Sequence, residues 1–167
     1  MSLSYRDLIR AADQVNLRLE VVRGIPIWEA SPVFLHQQEI KRIVASIKKL
    51  EGSVCACIET QDTLFKFPDG SLKRPDIALL CQMPDPSEAE EALRLVPSAV
   101  IEVVSKDYEY KDLELGPPFY LESGVKDVVV LDPRTGLVLH HRAEWQEAKR
   151  LQSPVRLELE CGCEVTV

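Results

Sequence analysis

The chain has 167 residues, of which 46% are hydrophobic and 28% are charged, and its formal net charge is −7. This composition is typical of a soluble protein, and residues 1–167 are predicted to form a single domain with its own core. The acidic balance does not favour a protein that covers nucleic acid with a broad basic surface. The sequence lacks both the apolar core of a signal peptide and an apolar run of the roughly 18 residues that a membrane span needs. A cytoplasmic protein without a membrane partner is therefore expected.

The N-terminal part of the chain is predicted to contain a helix, a hairpin and a second helix. Residues 5–14 follow a Ser4 cap and carry an apolar stripe, which indicates a helix. The stretch "LRLEVVRGIPIWEAS" predicts two strands that turn at Arg23 and Gly24. Helical spacing of isoleucines and valine predicts a second helix over residues 36–50. Four basic residues would share one stripe of that helix, which we interpret as a solvated face rather than a nucleic-acid patch: Lys41, Arg42, Lys48 and Lys49.

The rest of the chain is predicted to consist mainly of strands, with one further helix. Residues 53–80 hold three short strands and an explicit turn at Pro68-Asp69-Gly70. After an acidic, proline-bounded loop come two strongly apolar strands, "AVIEVV" and "DVVVLD", separated by a helical segment that ends near Gly124. Strands this apolar indicate a sheet that is covered on both faces. The predicted fold class is α/β or α+β, a mixed β-sheet flanked by helices.

Two acidic residues lie at unusual places in the predicted sheet. Glu102 stands inside an apolar strand, and Asp76 stands at the head of another, directly after a proline that favours an extended entry. If the two strands are neighbours, the two carboxylates converge, and Mg²⁺ or Mn²⁺ would relieve their repulsion. The functional interpretation is a one- or two-metal site for phosphodiester hydrolysis. The alternative is that Asp76 caps a turn and Glu102 pairs with an arginine or lysine.

Several short motifs occur in a definite order along the chain. They are "PDGSLKRPD", "VIEVVS", an aspartate and tyrosine at Asp112 and Tyr120, "ESGV" and "VVLDP", preceded by "LEVVRG" and "SPVFLHQ". In this order they resemble the Uma-two family of restriction-endonuclease-like proteins, which is grouped with the PD-(D/E)xK nucleases. The resemblance implies a restriction-endonuclease-like core, Mg²⁺- or Mn²⁺-dependent endonuclease chemistry on nucleic acid, with DNA expected, and homodimers.

The resemblance also implies a set of site residues. Asp76 matches the aspartate of the PD motif, and Glu102 matches the metal-binding acid of the second half-motif. Both are therefore expected to be catalytic and to bind metal. Glu20 matches the glutamate of an N-terminal motif and is expected as an additional metal ligand. His36 matches a histidine at a helix start, although a lone histidine more often has a structural hydrogen-bonding role.

The lysine that such a nuclease uses to orient water and stabilise negative charge is absent from both family positions. Val104 stands two residues after Glu102, where the literal motif has lysine. Gly116 stands four residues after Asp112, where the family's alternative lysine would lie, and it is expected to be a helix cap with Pro117 at the first helical position.

Other basic residues can take the place of the missing lysine. Lys106 is the catalytic candidate, although an extended strand would carry it roughly 13 Å from Glu102 unless the chain bends. Lys111 can fold back over its loop, but we interpret it as a solvated surface charge. Lys73 and Arg74 are auxiliary candidates that either hold a phosphate or neutralise the acids. Two hypotheses follow, a metal-dependent nuclease with a displaced lysine and a catalytically silent binding or regulatory module, so enzymatic activity is left open.

The five cysteines form two C-x-C pairs and one single residue. An odd number in a cytoplasmic protein argues against a disulfide framework. If they lie side by side, the pairs at Cys55 and Cys57 and at Cys161 and Cys163 could offer four thiolates to zinc. Zinc sites usually have two to four residues between paired ligands, and cysteine in an apolar strand is a small hydrophobic residue. Zinc is therefore the less favoured interpretation.

Overall fold

The computed structural model describes residues 4–167, so the first three residues of the predicted domain lie outside the description. The helical elements are α1 (Tyr5–Gln14), α2 (Phe34–Ser46), a 3₁₀ turn (Pro86–Glu88), a π-helical turn (Lys111–Leu115) and α3 (Gly116–Glu122). The strands are β1 (Leu17–Val22), β2 (Ile25–Ala30), β3 (Lys48–Lys49), β4 (Ile58–Gln61), β5 (Phe65–Lys66), β6 (Leu72–Lys73), β7 (Ile77–Leu80), β8 (Ala99–Val103), β9 (Asp127–Asp132), β10 (Leu137–His141), β11 (Lys149–Gln152), β12 (Arg156–Glu158) and β13 (Cys163–Thr166). In this described part, no helix combines the length and the apolarity needed to cross a membrane.

A six-stranded sheet in the order β11-β10-β9-β8-β7-β4 forms the centre of the fold. Strands β8 and β9 are parallel and are connected through α3, whereas the other neighbours in this sheet are antiparallel. The predicted mixed sheet is therefore confirmed. Two smaller sheets, in the orders β2-β1-β6-β5 and β12-β13-β3, accompany it.

Both faces of the central sheet are covered, as the apolar strands predict. Ile101 and Val103 of β8 belong to a core cluster that also contains Ile43 of α2 and residues of β13. Val100 points to the opposite face and joins a second cluster with Tyr120 of α3. Because successive side chains of a strand alternate, Glu102 shares the face of Val100 and lies beneath α3. A carboxyl group is thus placed under a helix.

The predicted first helix and the predicted hairpin are confirmed. Helix α1 begins after a capping box in which the Ser4 hydroxyl accepts a hydrogen bond from the Asp7 backbone N–H and the Asp7 carboxylate accepts one from the Ser4 N–H. Strands β1 and β2 form an antiparallel hairpin around Arg23 and Gly24, whose φ angles are 51° and 80°. Glycine tolerates this left-handed backbone without strain.

The predicted second helix is wrong at its end. Helix α2 stops at Ser46, Ile47 turns to extended backbone with ψ of 128°, and residues 48–49 form β3 against β13. The pairing requirement of β13 outweighs the helical spacing of the sequence, because an unpaired buried strand would leave its backbone groups without partners. Consequently Lys48 and Lys49 do not share a helix face with Lys41 and Arg42.

The expectation that the cysteines form no disulfides is also wrong. Disulfides join Cys55 to Cys81 and Cys57 to Cys163, across 26 and 106 residues of sequence, and Cys161 is a free thiol. The reason is topological. Pairing of β4 with β7 brings Cys55 next to Cys81, and the C-terminal sheet brings β13 to the same place.

A buried carboxylate at the start of β9 fastens the last strands to the central sheet. The side chain of Asp127 is fully buried, and one of its oxygens accepts hydrogen bonds from His140 Nε2 and Arg142 Nε, each at 2.6 Å. The other oxygen accepts a 2.7 Å bond from the Glu160 backbone N–H. Burial opposes ionisation, but these bonds outweigh it and lower the pKa of Asp127.

Replacement of Asp127 by Asn should destabilise the protein by about 3 kcal/mol at pH 7, because Arg142 and His140 lose their buried partner. Since the pKa of Asp127 is lowered by folding, its stabilising effect is complete above the unfolded-state pKa of about 4 and is lost as the pH falls through the folded-state value. Urea unfolding at several pH values measures the difference, which should shrink in acid. The exposed Glu144→Gln change serves as control and should stay within about 0.5 kcal/mol of the original protein. A pH-independent cost for Asp127→Asn would contradict this account.

Candidate functional site

Asp76 and Glu102 meet where β7 and β8 lie side by side. Asp76 stands directly before β7, and the antiparallel register pairs Ile77 with Ile101. The Asp76 backbone N–H donates to Glu102 Oε2 at 3.0 Å, and the Val103 backbone N–H donates to Asp76 Oδ2 at 2.9 Å. The exposed fractions of the two acids are 5% and 3%. Each strand therefore orients the carboxylate of the other, and the convergence expected from the sequence is confirmed.

Glu20 brings a third buried carboxylate from β1. Its Oε1 accepts a 2.9 Å hydrogen bond from the Arg74 backbone N–H, and its Oε2 lies 3.3 Å from Lys73 Nζ and 3.6 Å from Lys111 Nζ. The same two ammonium groups interact electrostatically with Glu102. Glu20 Oε2 has ion-pair neighbours but receives no hydrogen bond of good geometry in the described chain. This oxygen is available to a further ligand.

Two basic side chains hold Asp76 from the side of β1 and α2. His36, in the first turn of α2, places its Nε2 3.1 Å from Asp76 Oδ2. Arg18 lies 3.4 Å from Asp76 Oδ1, 3.3 Å from Glu29 and 2.8 Å from Asp62. The sequence prediction missed Arg18 and Glu29. The hairpin register was the available signal, because a turn at Arg23 places residue 18 opposite residue 29.

Lys111 is buried, which corrects its interpretation as a solvated surface charge. Its exposed fraction is 8%, and its Nζ lies 2.8 Å from Glu29 Oε2 and 3.6 Å from Asp112 Oδ1. The physical reason is the π-helical turn over residues 111–115, a wider turn that buries both Lys111 and Asp112. Desolvation opposes the charge, but the surrounding carboxylates outweigh it and raise the pKa of Lys111 well above its usual value.

The same segment corrects the predicted helix start, in which Gly116 was the cap and Pro117 the first helical residue. The π-helical turn runs directly into α3, so Gly116 is the first residue of α3 and Pro117 the second. Pro117 thus lies where the π-helical turn passes into α3, a place where the regular hydrogen-bond ladder of the helix is already interrupted. From α3, the Tyr120 hydroxyl donates a 2.7 Å hydrogen bond to Glu102 Oε1.

The remaining basic candidates divide between the site and the surface. Lys73 is 2% exposed and lies 4.7 Å from the centre of the Tyr120 ring. Its Nζ is 3.3 Å from Glu20 Oε2, so it neutralises Glu20 inside the site. The Arg74 guanidinium turns away and pairs with Asp13 and Asp62. Lys106 is exposed and forms no ion pair with any residue that the structure describes.

The buried network has more negative than positive side chains. Among the residues described, it contains five buried carboxylates but three buried lysine or arginine side chains, and His36 offers a fourth cation only when protonated. The carboxylates are those of Glu20, Glu29, Asp76, Glu102 and Asp112, and the cations are Arg18, Lys73 and Lys111. Unpaired buried charges are costly, so the network favours either bound protons or a bound cation.

The pKa values of the four acids indicate which of them stay ionised and which tend to keep a proton. Burial opposes ionisation of Asp76, but the hydrogen bond and charge of His36, helped by Arg18, hold its pKa at about 2. The pKa of Glu20 is also about 2, because Lys111 and Lys73 outweigh its burial. Burial and the charge of Asp76 raise the pKa of Glu102 well above its usual value. Burial likewise raises the pKa of Asp112 to about 6, against the effect of Lys111.

The donor set has the chemistry of a site for a hard divalent cation, but the carboxylate oxygens of Asp76, Glu102 and Glu20 do not all lie within 4.8 Å of one another, so a cation would have to draw them together. Carboxylate oxygens are the ligands that Mg²⁺ and Mn²⁺ prefer, and such a cation would replace the proton that Glu102 otherwise retains. Asp76 and Glu102 are the central ligand candidates, and Glu20 has a carboxylate oxygen to offer. Beside Asp76 a cleft of about 310 Å³ opens to solvent. Its lining residues are Arg18, Pro32, His36, Gln37, Ile40, Gln61, Asp62 and Asp76.

Comparisons with known proteins agree with this architecture. The model of the Uma2 family, described as "Putative restriction endonuclease", matches residues 4–166. The crystal structure of a "putative nuclease belonging to DUF820" from Anabaena variabilis is similar, with a TM-score of 0.62, 20% identity and coverage of 84% of this chain and 80% of that chain. At this identity the likeness concerns the fold alone, and it confirms the predicted fold class. A comparison with curated proteins gave no match.

Replacement of Lys111 by Met should destabilise the metal-free protein by about 3 to 5 kcal/mol, because Glu29 and Glu20 would be left in the interior without their cation. Replacement of the exposed Lys106 by Met, the matched control, should change stability by no more than about 0.5 kcal/mol. Urea unfolding in the presence of EDTA measures both values. Equal effects of the two substitutions would contradict the buried position of Lys111.

Proposed function

The chain belongs to the Uma2 family, and from this premise we propose that it is a metal-dependent endonuclease that hydrolyses phosphodiester bonds of nucleic acid, with DNA as the expected substrate. The observation that carries the proposal is the convergence of Asp76 and Glu102 in a buried network with excess negative charge. An acid pair at the end of two sheet strands, beside a cleft, matches the family motifs at those same two positions.

The proposed cofactor is Mg²⁺ or Mn²⁺, held by Asp76, Glu102 and Glu20. When bound, such a cation would polarise the phosphate and make a bound water more acidic. The protein's own residues would keep this site in order. His36 and Arg18 orient Asp76 and keep it ionised, while the hydrogen bond from Tyr120 orients Glu102.

We propose Lys111 as the replacement for the missing motif lysine. It lies in the acid network, next to the aspartate of the family's helical motif, and interacts electrostatically with Glu102. Because its pKa is raised, it would serve as a fixed positive charge that stabilises negative charge on phosphate rather than as a base. The catalytic role predicted for Lys106 stays a prediction, which a substitution tests directly.

A catalytically silent binding or regulatory module is the second candidate. The observation that favours it is the Arg18 guanidinium, which already occupies the Asp76 side of the site at 3.4 Å from Oδ1. Together with Lys73 and Lys111 it compensates three carboxylate charges without any metal. In this candidate function the cleft beside Asp76 would bind a ligand without cleaving it.

Substitution of Asp76 by Asn or of Glu102 by Gln should reduce metal-dependent cleavage at least about 100-fold, because each change removes a metal-binding charge at nearly constant volume. Cleavage of supercoiled plasmid and of single-stranded nucleic acid with Mg²⁺ or Mn²⁺ measures the effect. Lys111→Ala should cause a similar loss, and Lys106→Ala should leave cleavage within a few-fold if Lys111 is the motif lysine.

The outcomes separate the candidate functions. Cleavage that survives in both acid variants would come from a contaminant and would refute the nuclease. A wild-type protein that binds nucleic acid without cleaving it, under the same metal conditions, would support the silent module. Loss of cleavage in Lys106→Ala with retention in Lys111→Ala would reverse the assignment of the lysine.

We further propose that the protein is a homodimer in the cytoplasm. The support for dimerisation is a run of exposed apolar side chains at the start of α2: Val33, Phe34 and Leu35 are exposed to 68%, 75% and 46%. Trp28 of β2 is exposed to 46% as well. Large apolar side chains grouped on a surface are typical of interaction sites. The cytoplasmic location stays a prediction from the sequence.

Replacement of Phe34 by Ser should convert the dimer into a monomer, because Phe34 is the most exposed aromatic side chain of this surface. Light scattering coupled to size-exclusion chromatography measures the mass in solution. The control is Met83→Ser, which removes another exposed apolar side chain, one in the loop after β7. A wild-type mass of one chain of 18.8 kDa would contradict the homodimer.

A further inference from the structure

All five cysteines of the chain come together at one end of the central sheet. They arrive from three separate segments: Cys55 and Cys57 before β4, Cys81 after β7, and Cys161 and Cys163 around the start of β13. The Sγ atoms of Cys55, Cys161 and Cys163 lie within 4.8 Å of one another, and the disulfides attach Cys57 and Cys81 to this group. The cluster thus holds two disulfides and one thiol.

One sulfur–sulfur distance of the cluster, that between Cys55 and Cys163, corresponds to a tetrahedral thiolate site. With a Zn–S distance of about 2.3 Å, the sulfurs of a regular tetrahedron lie about 3.8 Å apart. The Cys55 and Cys163 sulfurs, which are not bonded to each other, are separated by 3.7 Å. The short C-x-C spacing does not exclude zinc here, because the two pairs come from separate segments of the chain that lie side by side.

Backbone and side-chain donors already point at the sulfurs. The Cys57 N–H donates to Cys55 Sγ at 3.4 Å, and the Ser98 hydroxyl donates to Cys81 Sγ at 3.2 Å. The donor at Cys55 would stabilise the negative charge of a thiolate ligand there. The Cys57 sulfur lies 3.9 Å from the Gly162 carbonyl oxygen, on the side of the second C-x-C pair. Reduction of the Cys57–Cys163 disulfide would free the Cys57 sulfur beside this group, so Cys57 is assigned as the fourth ligand, and the Cys81→Ser variant tests that choice.

We propose that the reduced cluster binds one Zn²⁺ through Cys55, Cys57, Cys161 and Cys163. Two equivalents of a dithiol reductant convert the two disulfides into four thiols and are themselves oxidised to disulfides. Together with Cys161 the chain then carries five thiols, and four of them lose their protons as Zn²⁺ binds. The C-terminal sheet is attached to the central sheet in either state, by Cys57–Cys163 when oxidised and by zinc when reduced.

This site is separate from the acid site. Asp76 precedes β7 and Cys81 follows it, so the two sites lie at opposite ends of this strand, roughly 16 Å apart at about 3.3 Å per residue. The ligand types also differ, since thiolates select Zn²⁺ over the Mg²⁺ or Mn²⁺ that carboxylates prefer. Metal binding at one site can therefore be measured while the other is disabled.

The test is titration of anaerobically reduced and desalted full-length protein with Co²⁺, followed by displacement with Zn²⁺. The wild type should bind one Co²⁺ with the sulfur-to-cobalt charge-transfer and d–d bands of a tetrahedral thiolate site. Cys161→Ser should weaken binding by more than about 100-fold, since even changes outside the ligand shell cost about 10- to 100-fold. Both disulfides can still form in this variant, so its oxidised form controls for folding. Cys81→Ser and Asp76→Ala should develop the thiolate bands at the same Co²⁺ concentration as the wild type does.

Other outcomes overturn the proposal. Absence of the thiolate bands in the reduced wild type, or equal binding by Cys161→Ser, would show that the cluster only forms disulfides. Equal loss in Cys81→Ser would overturn Cys57 as the fourth ligand. If the reduced protein is unfolded by circular dichroism, Zn²⁺ should restore its structure in the wild type and not in Cys161→Ser, and failure to restore it would refute the site.

Discussion

The antiparallel pairing of β7 with β8 is the constraint on which the rest of the site depends. Through it the Asp76 N–H reaches the Glu102 carboxylate, and the Val103 N–H reaches the Asp76 carboxylate. Two carboxyl groups are thereby held close together in the interior, where water cannot screen one from the other. The remaining elements of the site supply compensation, namely Arg18 from β1, His36 from α2 and Lys111 from the π-helical turn.

The buried cations do not balance all the buried carboxylates, and the pKa values of the acids differ for this reason. Asp76 and Glu20 have close cationic partners and pKa values of about 2, whereas Glu102 and Asp112 have raised pKa values. A core selected for stability alone would gain little from such an arrangement, since apolar side chains of similar volume often replace buried ion pairs without loss. Excess acid next to a cleft is understandable as a place for a divalent cation.

The sequence predicted those parts of the molecule that depend on local patterns. The apolar run placed Glu102 on a buried strand, the Ser4 cap located α1, and the turn at Arg23 and Gly24 located the hairpin. The sequence-based predictions failed where tertiary contacts determine the local structure. Pairing with β13 ended α2 early, and a π-helical turn, which has no simple sequence signature, buried Lys111. Arg18 was missed because an arginine at a strand start is usually a surface residue, and only the hairpin register brings it opposite Glu29.

The central claim is that Asp76 and Glu102 form a divalent-metal site. A crystal of the full-length protein soaked in Mn²⁺ tests this most directly, through anomalous scattering at the manganese edge. The account predicts a peak between the two carboxylates, within about 2.5 Å of an oxygen from each, and its loss in Asp76→Asn. A fully soaked crystal without such a peak, in which Arg18 still contacts Asp76, would contradict the metal site and favour the silent module.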